Sequence, residues 1–229
     1  MGLGSNWGQV LDILEQIIPV YDRVNSFISL GKDREFRERG IRGRVKRGDK
    51  VLDAGSGFGN MSKTAMKICE GEVEIFLYDP LRPMLKNTGR LFSTAPSLTC
   101  GVFEHMPFGE GHFDAVLCGY SLRDAISLRI AISEAHRVLK KGGRFVIVDL
   151  GKPDNPVIRA GVSFYLRAVL PILAVIVGGR LGLKFAALYD TYKVWPKNKD
   201  LNLLLLERFE RVEFDKGMLG GAVIIAAYK

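Results

Sequence analysis

At 229 residues, with 47% hydrophobic and 25% charged side chains, the chain has the size of one domain with a substantial core and excludes a disordered or collagen-like protein. Its net charge of +8 is moderate, and the basic residues are scattered without the aromatic interleaving of an RNA-binding strand, so no nucleic-acid partner is expected. Cys69, Cys100 and Cys118 each fall in an apolar segment and never as C-x-x-C, which argues against zinc or disulfides and for a reducing cytosol.

Met1 to Trp7 lacks the basic start and apolar run of a signal peptide. Gly8 to Val45 reads as two or three helices. Val10, Leu14, Ile17 and Ile18 share one helical face, interrupted by Pro19; Tyr21 to Leu30 makes a second piece, and Asp33 opens a third, basic helix. Residues 1–47 are therefore expected to form an N-terminal helical segment.

Residues 48–150 alternate strands and helices. Strand Lys50–Ala54 runs into Gly55, Gly57 and Gly59, and a helix follows over Asn60–Cys69. A strand, a glycine turn and a helix bring backbone N–H groups close to a ligand, because glycine has no Cβ in the way. The spacing is G-x-G-x-G, with Asn60 where a dinucleotide fold would place its third glycine. A second strand, Val73–Tyr78, ends at Asp79, at the usual distance for a carboxylate that accepts both ribose hydroxyls. Asp79 can at the same time cap the next helix, Leu81–Phe92, with Pro80 at its first position, a role compatible with ribose binding. Strand Ser97–Val102, strand Phe113–Gly119, helix Ser127–Lys140 and strand Gly143–Leu150 complete a doubly wound parallel sheet, whose ligands sit at the strand C-terminal ends.

Residues 151–200 break the alternation with a long, apolar, helix-like stretch punctuated by Pro153, Pro156, Pro171 and Pro196. It reads either as a packed crossover or as a cap that supplies an apolar substrate pocket. The apolar run Ala168–Gly179, between Arg167 and Arg180, is too short to span a bilayer. Residues 201–229 read as helix Leu201–Glu207 and strands Phe209–Phe214 and Gly221–Tyr228, an antiparallel hairpin at the sheet edge.

The stretch VLDAGSGFGN (Val51 to Asn60) resembles the first motif of class I S-adenosyl-L-methionine (AdoMet) methyltransferases, and a reversed final strand is their sheet signature. YDRVNSFISLGKDREF (Tyr21 to Phe36) resembles the N-terminal signature of the ubiquinone/menaquinone biosynthesis C-methyltransferases: Tyr21, Asp22, Asn25, Ile28 and Ser29 match, while Val24, Asp33 and Phe36 replace Met, His and Trp. RVLKKGGRFVIVDLGKP (Arg137 to Pro153) resembles their second signature, with Lys141, Asp149 and Gly151 replacing Pro, Glu and Ser. GYSLRDA keeps Arg123 and carries Asp124 in place of Asn, and MLGGAVIIAAYK (Met218 to Lys229) is similar to their final strand. The resemblance spans nearly the whole chain except about residues 155–185.

It implies a Rossmann-like, seven-stranded α/β fold with the last strand antiparallel, and an AdoMet site built from Asp53, Gly55, Ser56, Gly57, Gly59, Asp79, Pro80, Phe103, Glu104 and Gly119. Asp53 would order the turn or meet the cofactor ammonium. Val102 stands where relatives carry an acid or amide, so adenine recognition is expected from backbone near Phe103. Arg123 is the first catalytic candidate, as the cation beside a developing phenolate; its alternative is an ion pair with Asp124 or the Asp33 helix. Asp124 is a base through water or a cap of the next helix. Residues 1–47 would then be a lid that Tyr21 and Asp22 close over the cofactor, or the pair merely joins two helices.

His105 is expected in solvent, His136 at a favourable helix C-terminus, and His112 carries no assignment. Tyr189, Tyr192 and Trp195 stack on substrate or pack in the core. The expected acceptor is an apolar small molecule, a prenylated quinone precursor, with a sterol, fatty acyl or phospholipid acceptor as the nearest rival. An NAD-dependent oxidoreductase is disfavoured by Asn60 and the terminal hairpin, and a non-enzymatic lipid-binding module is the third reading. A homodimer and peripheral contact of a cytoplasmic enzyme with a membrane are the further partners left open.

Overall fold

The computed structural model describes residues 2–229 apart from Leu30, Leu91, Ser93 and Thr94, and leaves out the side chains of Asp22 and Ile28. The expected reach of the second helix to Leu30 and of the helix after the second strand through Leu91 thus lies outside the described residues. So does the lid role of the Asp22 side chain.

Seven strands form one sheet: β1 (Lys50–Ala54), β2 (Glu74–Asp79), β3 (Ser97–Cys100), β4 (Phe113–Gly119), β5 (Leu139–Leu150), β6 (Arg211–Gly217) and β7 (Ala222–Tyr228). Their order is β3-β2-β1-β4-β5-β7-β6, with β1 to β5 parallel and β7 antiparallel to both β5 and β6. This is the class I methyltransferase sheet. The strand order reverses between the parallel neighbours β1 and β4, where Leu52 lies opposite Val116 and Asp53 opposite Leu117. Such a switch point leaves a crevice at the strand C-terminal ends. The central strands are buried on both faces and read as near-continuous apolar runs, as a two-sided parallel sheet requires.

Helices α4 (Asn60–Ile68), α5 (Arg82–Gly89) and α6 (Leu128–Val138) connect the strands. Helix α5 ends at Gly89, short of the expected Phe92. Its first turn holds Pro83, so Pro80 precedes the helix instead of opening it. Strand β5 begins at Leu139 because Leu139 pairs with Phe113, which shortens α6 relative to the sequence reading. The strand β6 extends to Gly217, since Lys216 and Gly217 pair with Val223 and Ala222, and leaves only Met218–Gly220 for the turn. The expected hairpin is present, with β7 inserted between β5 and the edge strand β6.

Ahead of the sheet stand α1 (Trp7–Ile17), α2 (Tyr21–Ile28) and α3 (Lys32–Ile41). After β5 come α7 (Pro156–Phe164), a π-turn (Tyr165–Val169), α8 (Leu170–Gly178), a 3₁₀ segment (Gly179–Ala186), α9 (Ala187–Val194) and α10 (Asn198–Leu206). The dozen-residue limit set by Arg167 and Arg180 is corrected here: helix runs unbroken over residues 156–178, and the helical stretch Pro156–Val194 is long and apolar enough to cross a membrane by length and composition. The path nevertheless reverses at Gly179, whose φ of 61° favours glycine. The returning segment packs on α8 so closely that a Cβ at Gly182 would overlap the Ala174 carbonyl. Two apolar clusters fill the two faces of the sheet. A third joins lid to cap through Ile17, Val20, Val24, Leu166, Leu170 and Phe185, and so fixes Tyr21 above the strand ends.

Candidate active site

One cavity of about 580 Å³ opens over the ends of β1 and β4, within the range of small-molecule sites. Its floor is the turn after β1. Gly55 has φ of 67°, and a Cβ there would overlap the Ser121 hydroxyl, so the turn admits only glycine at this point. The turn is tied to the end of β2. Gly55 and Ser56 donate backbone N–H to Tyr78 O at 2.8 and 3.1 Å, and Gly57 N–H donates to Asp79 Oδ2 at 2.8 Å. Asp79 Oδ1 accepts the Leu81 N–H at 2.8 Å. One carboxylate thus holds the glycine turn and the entry to α5 together, and each oxygen keeps a lone pair for a ligand.

Asp53 divides its two oxygens differently. Oδ2 accepts from Ser62 N–H at 3.0 Å and Ser62 Oγ at 2.6 Å, while Oδ1 is buried with no partner. A buried carboxylate oxygen left unpaired on a residue that lines a cavity is costly, which makes it a candidate partner for a donor or a cation. Burial raises its pKa to about 7 against the pull of the Ser62 bonds. Burial also raises Asp79.

At the far side of the floor, Arg123 follows β4 with only 5% of its side chain exposed. Its Nη1 donates to Asp149 Oδ1 and to Tyr120 O, each at 2.6 Å, while Asp124 lies 3.8 Å from Nε. Burial works to lower the Arg123 pKa, yet Asp124 and Asp149 beside it hold it above the ordinary value. Burial lifts Asp124 to about 6, opposed by Arg123. The Tyr21 phenol is raised by burial, with Arg123 pulling the other way. Tyr120 carries φ of 60°, unusual outside glycine, and is pinned there because its N–H donates to Val148 O and its carbonyl accepts from Arg123. From α3, Arg37 reaches over the Tyr120 ring at 5.0 Å with Nη1 on Asp33 and a buried, unpartnered Nε.

Of the expected site residues, the cavity walls include Tyr21, Asp53, Gly55, Ser56, Gly57, Asp79, Pro80, Phe103, Gly119, Arg123 and Asp124. Two others stand elsewhere. Gly59 precedes α4 against Thr88 and Phe92, away from the walls, because its place in the turn faces α5. Glu104 also lies off the cavity: its Oε1 accepts the Ser127 N–H at 2.8 Å at the start of α6. That bond corrects the capping alternative for Asp124, whose carboxylate stays with Arg123 and the cavity. Arg123 pairs with Asp149, which the sequence reading passed over as a replaced signature residue.

Tyr192 and Trp195 are core residues, with Trp195 Nε1 donating to Leu150 O, and Tyr189 stacks on Tyr192 outside the cavity walls. The substrate-stacking reading of the three falls away. His105 is exposed, and His112 packs edge-on against Phe113. His136 is not the favoured helix-end cation: burial and the nearby Lys229 lower its pKa, and Lys229 Nζ itself takes the carbonyls of His136 and Leu139. Arg37, Ser121, Tyr120 and Asp149 were missed as site residues. The only advance signal was their nearness to quoted motifs.

Val102 carbonyl accepts the Tyr78 hydroxyl at 2.7 Å, and Val102 and Phe103 form the wall beyond β3. The opposite wall is apolar: Trp7, Leu11 and Leu14 of α1 face Ile158, Val162 and Leu166 of the cap. A polar floor rich in carboxylates and an apolar roof share one space.

A model of the ubiE/COQ5 methyltransferase family matches residues 3–229. The chain is 29% identical over 210 residues to a demethylmenaquinone methyltransferase of Clavibacter sepedonicus, covering 87% of this chain and 81% of that one. It is 27% identical over 225 residues to the 2-phytyl-1,4-naphtoquinone methyltransferase of Synechococcus elongatus, covering 93% and 95% of the two chains. A ubiquinone/menaquinone biosynthesis C-methyltransferase of Neisseria meningitidis is 28% identical over 231 residues, covering 97% and 91%. In fold, a solved structure from Thermotoga maritima, described as a SAM-dependent methyltransferase and possible histamine N-methyltransferase, superposes with a TM-score of 0.66 at 15% identity, covering 96% of this chain and 99% of that one. The chain is an enzyme of the ubiE/COQ5 methyltransferase family.

Proposed function

We propose that the chain is an AdoMet-dependent C-methyltransferase whose acceptor is a prenylated quinol or quinone precursor. The observation that carries this reading is the cavity in which a carboxylate-lined floor meets an apolar roof, with Arg123, held by buried Asp149, among its walls.

The floor suits a cationic nucleoside. Asp53 Oδ1 would accept from the cofactor ammonium, Asp79 from the ribose hydroxyls, and Val102–Phe103 would meet the adenine through backbone and ring. The unpartnered Nε of Arg37 would donate to the cofactor carboxylate. When bound, AdoMet supplies a sulfonium methyl for in-line displacement. The protein mainly aligns and dehydrates the reactants, an effect worth ~7–11 kcal/mol of barrier.

A ring carbon becomes nucleophilic when its neighbouring hydroxyl ionises. Asp124, held at about 6, is ionised at neutral pH and near enough to it to serve as a general base, worth about 10²–10⁴-fold. The fixed charge of Arg123 then stabilises the phenolate, and the Tyr21 hydroxyl lies in the field of both. The apolar roof would take the isoprenoid tail of a substrate reached from the cytoplasm or a membrane surface. A different lipid acceptor is the second reading, favoured by Asp33, Phe36 and Asp124 standing where relatives carry His, Trp and Asn.

Incubation with methyl-labelled AdoMet and native lipid extract, followed by mass spectrometry, tests the proposal. Label on a carbon of a quinone ring is expected. Label on a sterol, acyl chain or phospholipid would move the assignment to the second reading, and absence of any labelled product would overturn both.

A further inference from the structure

The helix over residues 156–178 is apolar along most of its length apart from Arg159 and Arg167, yet little of it is covered. Its inner side buries Leu166, Leu170 and Ala174 against the lid and offers Ile158 and Val162 to the cavity. On its outer side Val157, Phe164, Ile172 and Ile176 are 79%, 66%, 63% and 71% exposed. Their separations follow the helical repeat, so they form one continuous stripe, which exposed Leu183 of the returning segment extends. Only 17% of the most apolar part of this stretch is buried inside the molecule. A helix this apolar belongs in a protein core or in lipid, and an exposed patch of this extent marks an interaction surface.

Charge selects the occupant. Between Asp154 and Asp190 the chain carries Arg159, Arg167, Arg180 and Lys184 and not one carboxylate. Arg167 and Arg180 are exposed along the stripe. A second copy meeting this face across a two-fold axis would bring cation toward cation, whereas anionic headgroups would pair with both. The reversal at Gly179 and the cavity on the inner side rule out a helix surrounded by lipid; they suit one lying in the plane of the interface.

We propose that the outer stripe of α7 and α8 docks on a bilayer containing anionic phospholipid, so that an apolar acceptor enters the cavity from the lipid side of the cap. This rests on the lipid-acceptor reading above. The same helix would then touch acyl chains outside and the substrate tail inside.

Cosedimentation with vesicles of phosphatidylcholine, with and without phosphatidylglycerol, tests the surface. Wild type is expected to bind the anionic vesicles at least ~10-fold more tightly than the neutral ones. The variant Phe164→Ser/Ile172→Ser/Ile176→Ser changes only exposed side chains outside the cavity walls. It should lose at least ~10-fold in vesicle binding while keeping AdoMet affinity and turnover of a short-tailed, soluble quinol. Equal vesicle binding by wild type and variant would overturn the proposal. So would a wild-type dimer, seen by sedimentation equilibrium, that the variant dissolves without any vesicle binding. Vesicle binding without AdoMet binding would leave this surface standing and sink the proposed function instead.

Discussion

Around the turn from Gly55 to Gly57 most polar groups have a partner in the chain, and the buried atoms that lack one, Asp53 Oδ1 and Ser56 Oγ, belong to residues that line the cavity. Around the outer side of the cap, by contrast, whole apolar side chains lack a partner. The first region is built by directional bonds: Asp79 bridges Gly57 and Leu81, and Ser62 holds one oxygen of Asp53 while leaving the other free. The second is built by burial, with one side of a helix locked to the lid and the other left uncovered. Directional bonding gives a site that discriminates small polar ligands; unspent apolar surface gives one that accepts many apolar shapes. The Arg123–Asp149 pair stands where the two regimes meet.

The largest effect is expected at that junction. Asp149→Leu would remove the carboxylate that accepts the Arg123 hydrogen bond and leave only Asp124, 3.8 Å from Nε, as a counter-ion, a loss of about 3–5 kcal/mol. For a chain of this size that is a fall in Tm of roughly 6–20 °C by calorimetry. The double variant Arg123→Met/Asp149→Leu should recover most of the Tm yet no turnover. Recovery of turnover would remove the pair from the chemistry.

Asp53→Asn comes next and tests the polar floor. Loss of a charge-assisted bond to the cofactor ammonium should weaken AdoMet binding by ~10–100-fold in calorimetry. The pH dependence carries a sign. With its pKa raised to about 7, Asp53 must shed a proton to meet the ammonium, so wild-type affinity should rise as pH passes upward through about 7 and binding should release a proton. The Asn variant should be flat across that step. For the unliganded protein the same raised pKa favours the folded state at low pH, and that contribution is lost as pH rises through about 7.

Tyr21→Phe keeps the ring packing with Phe58 and Phe185 and deletes only the hydroxyl. Turnover should fall ~10-fold, with AdoMet affinity within about threefold, if the phenol contributes one hydrogen bond at the reacting centre. Unchanged turnover would make Tyr21 a lid-packing residue alone. The smallest effect is expected from Trp195→Phe, which loses the bond to Leu150 O: Tm should drop by about 2–4 °C while kcat/KM stays within about twofold. A large kcat/KM effect would return this aromatic group to the substrate site.

The same contrast explains what could be read from the residues alone. The polar floor was legible because its determinants are local in sequence: glycine positions, an acid two residues earlier and another at the next strand end. The reversed last strand was legible from two apolar runs around a short turn. Asp149 was not, because its partner Arg123 is distant in the chain and meets it only when β4 and β5 pair in register. Arg37 was hidden in a basic helix whose other cations face solvent. Glu104 and Gly59 were misplaced since proximity to a motif does not fix the side on which a residue faces. Tyr192 and Trp195 look alike in sequence whether they stack on a ligand or fill a core; the fold alone decides.

The central claim is that the crevice over the Gly55–Gly57 turn holds a sulfonium nucleoside with its amino group on Asp53. A crystal structure with S-adenosylhomocysteine tests it most directly. The expected result is the ligand on this turn, its ribose on Asp79 and its amino nitrogen ~3 Å from Asp53 Oδ1. A saturated crystal with the crevice empty, or one that takes up a nicotinamide dinucleotide there instead, would contradict the account.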